Sequence, residues 1–294
     1  MIPVTGPGPS GALSPAARRQ MLADLRAADI DRYLALLLMP EAARDDLLVL
    51  MLFNAEIAAI RDRVRDPMPG EIRLQWWREV LSGDRGGEAS GHPLASALGS
   101  VIGRRALPTA PLIAMCEART FDLYDDPMPD RLSYEGYAGE TASALLQMSA
   151  FLLDPAIAAE TATASGHAGV AQAVAGHLML LPITRARGQV FVPGDLLAAT
   201  GLDRDRFLGG ENKPALTNAV RAFAGIGREH LDKAKAALAH LPGHLFPAYL
   251  PVALVEPVLA RAEQRGADSL TIPLQPPQWR RQWRLWQAAR RGRL

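Results

Sequence analysis

Helix-forming residues, interrupted by prolines, make up almost the whole of this sequence. Ala, Leu, Arg and Glu dominate it, and the alternating β-branched pattern of a half-buried strand is scarce. Apolar residues recur three and four positions apart, as in Leu47, Leu50 and Met51 and again in Ile57 and Ile60. The sequence therefore predicts an all-α protein of roughly ten helices.

Prolines and glycines mark the predicted helix ends. Two long helices are predicted for residues 16–38 and 40–64. The second is predicted to stop at residues 66–70, Asp-Pro-Met-Pro-Gly, because proline cannot continue the hydrogen-bond ladder. A helix over residues 71–81 and a polar, Gly-rich loop over residues 83–92 follow.

The remainder of the chain shows no linker that would divide it. Further helices are predicted for residues 133–153 and 162–181, and a last one for residues 278–293. No Ser/Gly-rich segment separates them, so residues 14–294 are predicted to form one domain. The Gly- and Pro-rich residues 1–13 are predicted to be a disordered tail, because they lack the apolar stretch of an export signal.

Charge and cysteine content exclude several classes of protein. Lys and Arg number 32 against 31 Asp and Glu, and this balance predicts no general nucleic-acid partner. The single cysteine, Cys116, excludes an internal disulfide and a cysteine-based zinc site. The strongest apolar runs, residues 33–39 and 47–53, are far shorter than the roughly 20 residues of a membrane span. We therefore expect no membrane span and a cytoplasmic protein.

The predicted helix over residues 40–64 carries a polar stripe that suits an anionic ligand. The stripe follows helical spacing and consists of Asn54, Ala58, Arg61, Asp62 and Arg65. Guanidinium groups bind phosphate oxygens through paired hydrogen bonds, so such a stripe is compatible with a diphosphate. A solvated face or an internal salt bridge is the alternative interpretation.

A second candidate segment is Tyr-Ala-Gly-Glu-Thr-Ala-Ser at residues 137–143. Its small residues would let two helices approach closely. Tyr137 and Glu140 would then point into a cavity, or Glu140 would lie at the surface. The spacing alone does not distinguish these alternatives.

A third candidate follows on the next predicted helix. Glycines at helical spacing over residues 166–176 leave room for a neighbouring backbone or for a long apolar ligand. His167 and His177 flank them, and a spacing of ten residues matches no metal motif, so both are predicted to be structural. Arg185 and Arg187 lie in the turn beyond, where they would meet phosphates or solvent.

The last predicted helix combines tryptophan with arginine. Trp279, Trp283 and Trp286 form one stripe, and no acidic residue follows Asp268. The arginines around this stripe are Arg280, Arg281, Arg284, Arg290, Arg291 and Arg293. Such a helix would lie in a membrane interface beside anionic lipids, or would dock its tryptophans on the protein's own core. RNA binding is a third alternative.

Five segments resemble the squalene/phytoene synthase family in order and in approximate spacing, over about residues 25–200. They are Asp-Arg-Tyr-Leu at 31–34, Leu-Phe-Asn-Ala-Glu-Ile at 52–57, Pro-Gly-Glu-Ile-Arg-Leu-Gln-Trp-Trp-Arg at 69–78, the segment 137–143, and Arg-Gly-Gln-Val-Phe-Val-Pro at 187–193. The resemblance implies an isoprenoid-synthase-like helical bundle around a central apolar cavity. In active members of the family, Asp-rich motifs bind Mg²⁺, and two prenyl diphosphates are condensed head-to-head.

The chain departs from the family at those motifs. Where active members carry Asp-x-x-x-Asp, residues 58–62 keep only Asp62. The second motif aligns with Ala173, Gly176, Leu180 and Thr184, none of which is a carboxylate. Mg²⁺ requires several hard oxygen ligands, so one aspartate cannot hold the cluster of ions that the family uses. The resemblance therefore implies a protein without a metal cofactor.

The segments 53–56 and 68–77 look closest to phytoene-synthase-like proteins that act in assembly of respiratory complex I. This resemblance implies a non-catalytic protein whose partners are complex I subunits or assembly intermediates. It also implies a possible isoprenoid or amphiphilic ligand and a peripheral position at the inner face of the cytoplasmic membrane. The alternative is an active prenyltransferase whose Mg²⁺ site uses Asp62, Glu140 and Glu56. The predicted ligand-binding residues are Arg61, Asp62, Arg65, Tyr137, Glu140, Arg185 and Arg187, and the predicted membrane or partner contacts are Trp279, Arg280, Trp283, Arg284 and Trp286.

Overall fold

The computed structural model describes residues 13–294, and within them the chain is helical, without a β-strand. This confirms the all-α prediction. The predicted tail, residues 1–13, falls outside the described residues except for its last one. The helices are α1 Pro15–Ala28, α2 Ile30–Leu37, α3 Glu41–Ala58, α4 Ile60–Arg63, α5 Pro67–Ser82, α6 Gly86–Gly91, α7 Pro93–Arg105, α8 Ala110–Ala118, α9 Arg131–Ala138, α10 Ala144–Leu153, α11 Ala162–Ala186, α12 Gly194–Ala199, α13 Arg204–Gly209, α14 Lys213–Leu238, α15 Val255–Arg265 and α16 Gln278–Arg291.

The described residues form sixteen α-helices, so the expectation of roughly ten was wrong. The predicted helix 16–38 is interrupted at Asp29, whose side chain accepts a hydrogen bond from the backbone N–H of Arg32 and so caps α2. The predicted helix 40–64 ends at Ala58, and the single turn α4 follows it. Both breaks leave the apolar spacing of the sequence on either side intact.

The proline segment at residues 66–70 begins a helix instead of ending one. Helix α5 starts at Pro67, because proline is tolerated in a first turn, where its missing N–H has no intrahelical partner. The predicted loop 83–92 contains the short helix α6. These corrections move helix boundaries and leave the fold class unchanged.

Contacts divide the chain into two compact units. The first comprises residues 13–123 and Gln147–Ala159, and the second comprises Tyr124–Leu146 and Glu160–Leu294. Four further turns are 3₁₀-helical, at Arg119–Leu123, Ala158–Thr161, Gly243–Leu254 and Gly266–Leu270. The prediction of one domain over residues 14–294 stays a prediction.

Helix α3 is the centre of the first unit. Its residues from Leu47 to Phe53 are all buried, because α1, α2 and α7 pack around it. The carboxylate of Asp46 is buried as well and pairs with Arg104 at 3.0 Å and Arg105 at 3.3 Å on α7. An apolar helix with one compensated charge thus holds this unit together.

Helices α11 and α14 form the centre of the second unit, and α15 packs against both. Gly169 on α11 lies directly against the backbone of Ser143, whose hydroxyl donates to the carbonyl of Gly166 at 2.9 Å. At Gly169 the glycine face is therefore used for a neighbouring backbone, one of the two alternatives that the sequence left open. Nothing lies within 4 Å of a Cβ at Gly166 or Gly176, so a long apolar ligand there stays a prediction.

One segment of the described residues, Gly243–Leu270, passes the length and composition test for a membrane span. Its apolar window has a mean hydropathy of 1.3, and 67% of that window is buried inside the protein. The sequence reasoning missed this apolar segment, and its expectation of no membrane span stays a prediction. Because most of the window is buried, as in a helix of a protein core, its length and composition are only weak evidence for a membrane span.

The single thiol gives a direct test of the first unit. Cys116 is buried in α8, and burial raises its pKa to about 12. We expect negligible labelling by a thiol reagent at pH 8 in the native protein, because the thiolate is the reactive species. One equivalent should react after unfolding in guanidinium chloride, and rapid labelling of the native protein would contradict the buried position.

Candidate functional site

The predicted anion-binding stripe does not lie on one continuous helix. Helix α3 ends at Ala58, and the single turn α4 is followed by Val64, whose backbone is extended with φ −123° and ψ 149°. Asp62 and Arg65 are exposed, and Arg61 donates to the carbonyl of Val64 at 3.5 Å. The continuous helix was a wrong prediction, whereas a role of these three side chains in ligand binding stays a prediction.

A second carboxylate near Asp62 was missed by the sequence reasoning. Asp66 lies four residues beyond Asp62, which is the spacing of the family's Asp-x-x-x-Asp motif. In a continuous helix this spacing would place both carboxylates on one face. The break at Val64 removes that geometry, and Asp66 instead occupies the position before the first turn of α5.

The positions that align with the second metal motif lie on α11 and offer no carboxylate. Leu180 is exposed, and the hydroxyl of Thr184 donates to the carbonyl of Leu180 at 3.2 Å. Among residues 13–294 no group of three or more His, Cys, Asp or Glu side chains is arranged to hold a metal ion. This donor set does not fit the Mg²⁺ cluster of an active synthase.

The segment 137–143 contains Tyr137 at the end of α9 and Glu140 in a π-helical turn, Gly139–Ser143, that leads into α10. Such turns are rare and occur often at functional sites. Glu140 is exposed on this turn, and Tyr137 is buried. The exposure of Glu140 agrees with the alternative that places it at the surface, and a role of Tyr137 and Glu140 in ligand binding stays a prediction.

An aromatic cluster surrounds Tyr137 inside the second unit. The ring of His177 stacks on Phe191 with a centroid distance of 4.1 Å, and its Nδ1 lies 2.8 Å from the hydroxyl of Tyr134. Burial raises the pKa of Tyr134 well above its ordinary value. His177 therefore has internal partners, as predicted for a structural histidine, whereas Tyr134 carried no sequence signal.

His167 lies in a separate polar network. Its Nδ1 is 3.2 Å from Nδ1 of the buried His230, whose Nε2 is 3.3 Å from the carboxylate of Glu135. Burial is the largest single influence on Glu135 and raises its pKa, but the hydrogen bonds and charges of Arg131 and His230 together outweigh it, so the pKa lies below its ordinary value. Burial lowers the pKa of His230, and Glu135 offsets part of this.

The lowered pKa of His230 predicts a pH-dependent stability. Below pH 6.5 the unfolded chain takes up a proton that native His230 resists, so the free energy of unfolding should fall as the pH drops through the lower native pKa. Urea titrations between pH 7.5 and 5 should show this slope in the wild type and a flatter one in His230→Gln. His240→Gln, at an exposed histidine, should keep the wild-type slope.

The two arginines at the end of α11 differ in their surroundings: Arg185 lies in the last turn of the helix, not in a turn beyond it as predicted, and Arg187 directly follows the helix. The guanidinium of Arg185 donates to the carbonyls of Leu208 at 2.8 Å and Gly209 at 3.2 Å, at the end of α13. Arg185 therefore meets backbone, neither of the two environments expected for it. Arg187 is exposed.

Helix α16 turns its tryptophans outward. Trp279, Trp283 and Trp286 are 64%, 54% and 43% exposed. The face that packs on Gly243–Leu254 carries Arg281, Leu285 and Ala288. Docking of the tryptophan stripe on the protein's own core is therefore excluded, and contact with a membrane or partner stays a prediction.

The first unit also contains an open groove of about 810 Å³. Side chains of α1, the end of α3 and the start of α7 line it, and most of its surface is apolar. Its lining also includes Glu56 and Arg63, which form an ion pair at 2.5 Å. Its volume lies in the range of small-molecule pockets.

The comparisons define the class of protein. Residues 25–287 match the sequence model of squalene/phytoene synthase, and the chain belongs to this family. Squalene synthase HpnC from Alicyclobacillus acidocaldarius is 17% identical, covers 85% of this chain and 94% of its own, and has a TM-score of 0.71. A dehydrosqualene synthase is 14% identical, with coverage of 94% and 96% and a TM-score of 0.76. These likenesses confirm the isoprenoid-synthase fold.

The curated relatives have a more particular name. NADH dehydrogenase (ubiquinone) complex I, assembly factor 6 of Bos taurus is 28% identical over 257 residues, which are 87% of this chain and 77% of that protein. The protein of the same name in Homo sapiens is 27% identical, with coverage of 85% and 75%. The Dictyostelium discoideum homolog is 23% identical, with coverage of 85% and 70%.

Proposed function

We propose that this protein acts in the assembly of respiratory complex I and does not catalyse prenyl condensation. The observation that carries the proposal is the match of 85–87% of the chain to relatives named complex I assembly factor 6. The donor set supports the non-catalytic part, because the aligned motif positions supply Asp62 and otherwise Ala, Gly, Leu and Thr. Diphosphate departure without bound Mg²⁺ would lose a large part of its charge stabilisation.

A deletion strain tests the assembly role. We expect complex I abundance on native gels and NADH–quinone activity in membranes to fall, and the wild-type gene to restore both. Asp62→Ala and Asp66→Ala should restore them equally well, because neither carboxylate is needed for a non-catalytic role. Unchanged complex I in the deletion strain would contradict the assembly role.

The alternative function is an active prenyltransferase, which the likeness of the fold to solved synthases favours. Purified protein is incubated with labelled farnesyl or geranylgeranyl diphosphate and Mg²⁺. We expect no diphosphate release and no condensed hydrocarbon. A product that disappears in Asp62→Ala would establish the catalytic alternative, and Leu132→Ala, at an exposed leucine, is the matched control.

The partners that fit this role are complex I subunits or assembly intermediates, at the inner face of the cytoplasmic membrane. Affinity purification of the tagged full chain from detergent-solubilised membranes should recover such subunits. The same protein is proposed to hold an isoprenoid or another amphiphile, and the groove of the first unit has a suitable volume and both apolar and charged side chains in its lining. Native mass spectrometry of the purified protein should detect a lipid-sized adduct, which Leu52→Trp in the groove should reduce.

A further inference from the structure

We propose that the outer face of α16 is a docking surface for an anionic lipid bilayer. The face consists of the tryptophan stripe, Trp279, Trp283 and Trp286, and the arginine row beside it, Arg280, Arg284 and Arg291. The inference stands apart from the proposed function, because it depends only on the placement of these side chains. It holds equally for a catalytic and a non-catalytic protein.

Helix α16 is anchored to the protein by its opposite face. Leu285 is fully buried, and Arg281 and Ala288 are nearly so, against the segment Gly243–Leu254. Because successive residues of a helix turn by about 100°, the tryptophan stripe lies on the side away from these three residues. Because the opposite face is packed against the protein, the orientation of α16 is fixed and its tryptophan stripe faces the solvent.

Three neighbouring exposed tryptophans are unusual on a protein surface. Large side chains of this kind are mostly buried, and contiguous exposed apolar patches mark interaction sites. The contacts within the stripe leave it exposed: Trp283 and Trp286 stack with ring centroids 5.0 Å apart, and Arg290 lies 5.4 Å from the ring of Trp286. Tryptophan is enriched at membrane–water interfaces, where its ring is in the apolar boundary and its N–H reaches polar groups.

The charge next to the stripe favours an anionic surface. Arg280, Arg284 and Arg291 follow one another at helical spacing on one side of the tryptophans. The segment after Asp268 contains six arginines and no acidic residue, whereas the whole chain has a net charge of only +1. The positive charge is therefore local to this helix. Each such residue contributes roughly 1 kcal/mol of attraction near an anionic membrane.

Vesicle flotation of the full-length protein tests the proposal. Vesicles of phosphatidylcholine alone are compared with vesicles of equal parts phosphatidylcholine and phosphatidylglycerol. Wild type should float with the anionic vesicles and stay at the bottom of the gradient with the neutral ones. The variant W279A/W283A/W286A should lose flotation, and R280Q/R284Q/R291Q should bind the anionic vesicles about a hundredfold more weakly.

Leu132→Ala is the matched control, because Leu132 is an exposed leucine of the same unit that lies outside α16. It should float like the wild type. Brominated lipids should also quench the tryptophan fluorescence of the wild type. This quenching should be absent in the triple tryptophan variant, and the measurement does not depend on how much protein floats. Flotation of the triple tryptophan variant equal to wild type, equal binding to neutral vesicles, or retention by RNA without flotation would each overturn the proposal.

Discussion

Replacing Gly169 by alanine is expected to destabilise the protein by about 3 kcal/mol, the upper end of the usual cost of overpacking. A Cβ at this position would meet the backbone nitrogen and Cα of Ser143 at less than contact distance. A flexible side chain could rotate away, but a backbone cannot, so α11 and the π-helical turn would have to separate. That separation would also break the hydrogen bond from Ser143 to the carbonyl of Gly166.

Gly176→Ala is the control on the same helix. Nothing lies within 4 Å of a Cβ there, so the substitution should stabilise the protein by about 1 kcal/mol through helix propensity. Urea denaturation followed by circular dichroism compares the two variants with wild type. Equal effects at positions 169 and 176 would contradict the close approach of Ser143 to α11.

Removing both Arg104 and Arg105 is expected to cost about 3 kcal/mol, because it would leave the buried carboxylate of Asp46 without its partners. Asp46 is 6% exposed, whereas both arginines are about one-third exposed. The two guanidinium groups therefore compensate a charge that cannot reach water itself. Denaturation of the double variant R104A/R105A, and of each single variant, measures the loss; each single loss should be smaller, since one partner remains.

The adjacent residue provides the control for this pair. Asp45 is half-buried and pairs with Arg18 at 2.7 Å, so Arg18→Ala should cost less than about 1 kcal/mol. A double variant R104A/R105A as stable as Arg18→Ala would contradict the burial of Asp46. Comparison of the two neighbouring aspartates therefore distinguishes the free-energy cost of leaving a buried charge unpaired from the cost of breaking a surface ion pair.

Local signals in the sequence predicted the helices well where they are long and apolar. Helix α11 begins at its predicted residue, and α16 lies within two residues of its predicted bounds, because apolar spacing acts within one turn. The breaks at Asp29 and Ala59 were missed, since the apolar pattern continues across them. The role of Pro67 was misread because a proline both ends one helix and begins another.

The candidate site was predicted less completely. The loss of the metal-binding carboxylates was visible in the sequence, because residue identity alone decides it. The hydrogen bonds of Arg185 to Leu208 and Gly209, and of His177 to Tyr134, join residues that are more than twenty positions apart. No local pattern carries such contacts.

Helix α16 shows which properties the sequence determines and which only the tertiary structure determines. Its composition and spacing established an amphipathic helix with a tryptophan stripe and arginines around it, because these depend only on the identity and order of residues 278–293. The sequence left open whether the stripe faces the core or the solvent. Packing of Leu285 and Ala288 on Gly243–Leu254 decided that it faces outward, because only the tertiary structure determines which side of an amphipathic helix finds an apolar partner.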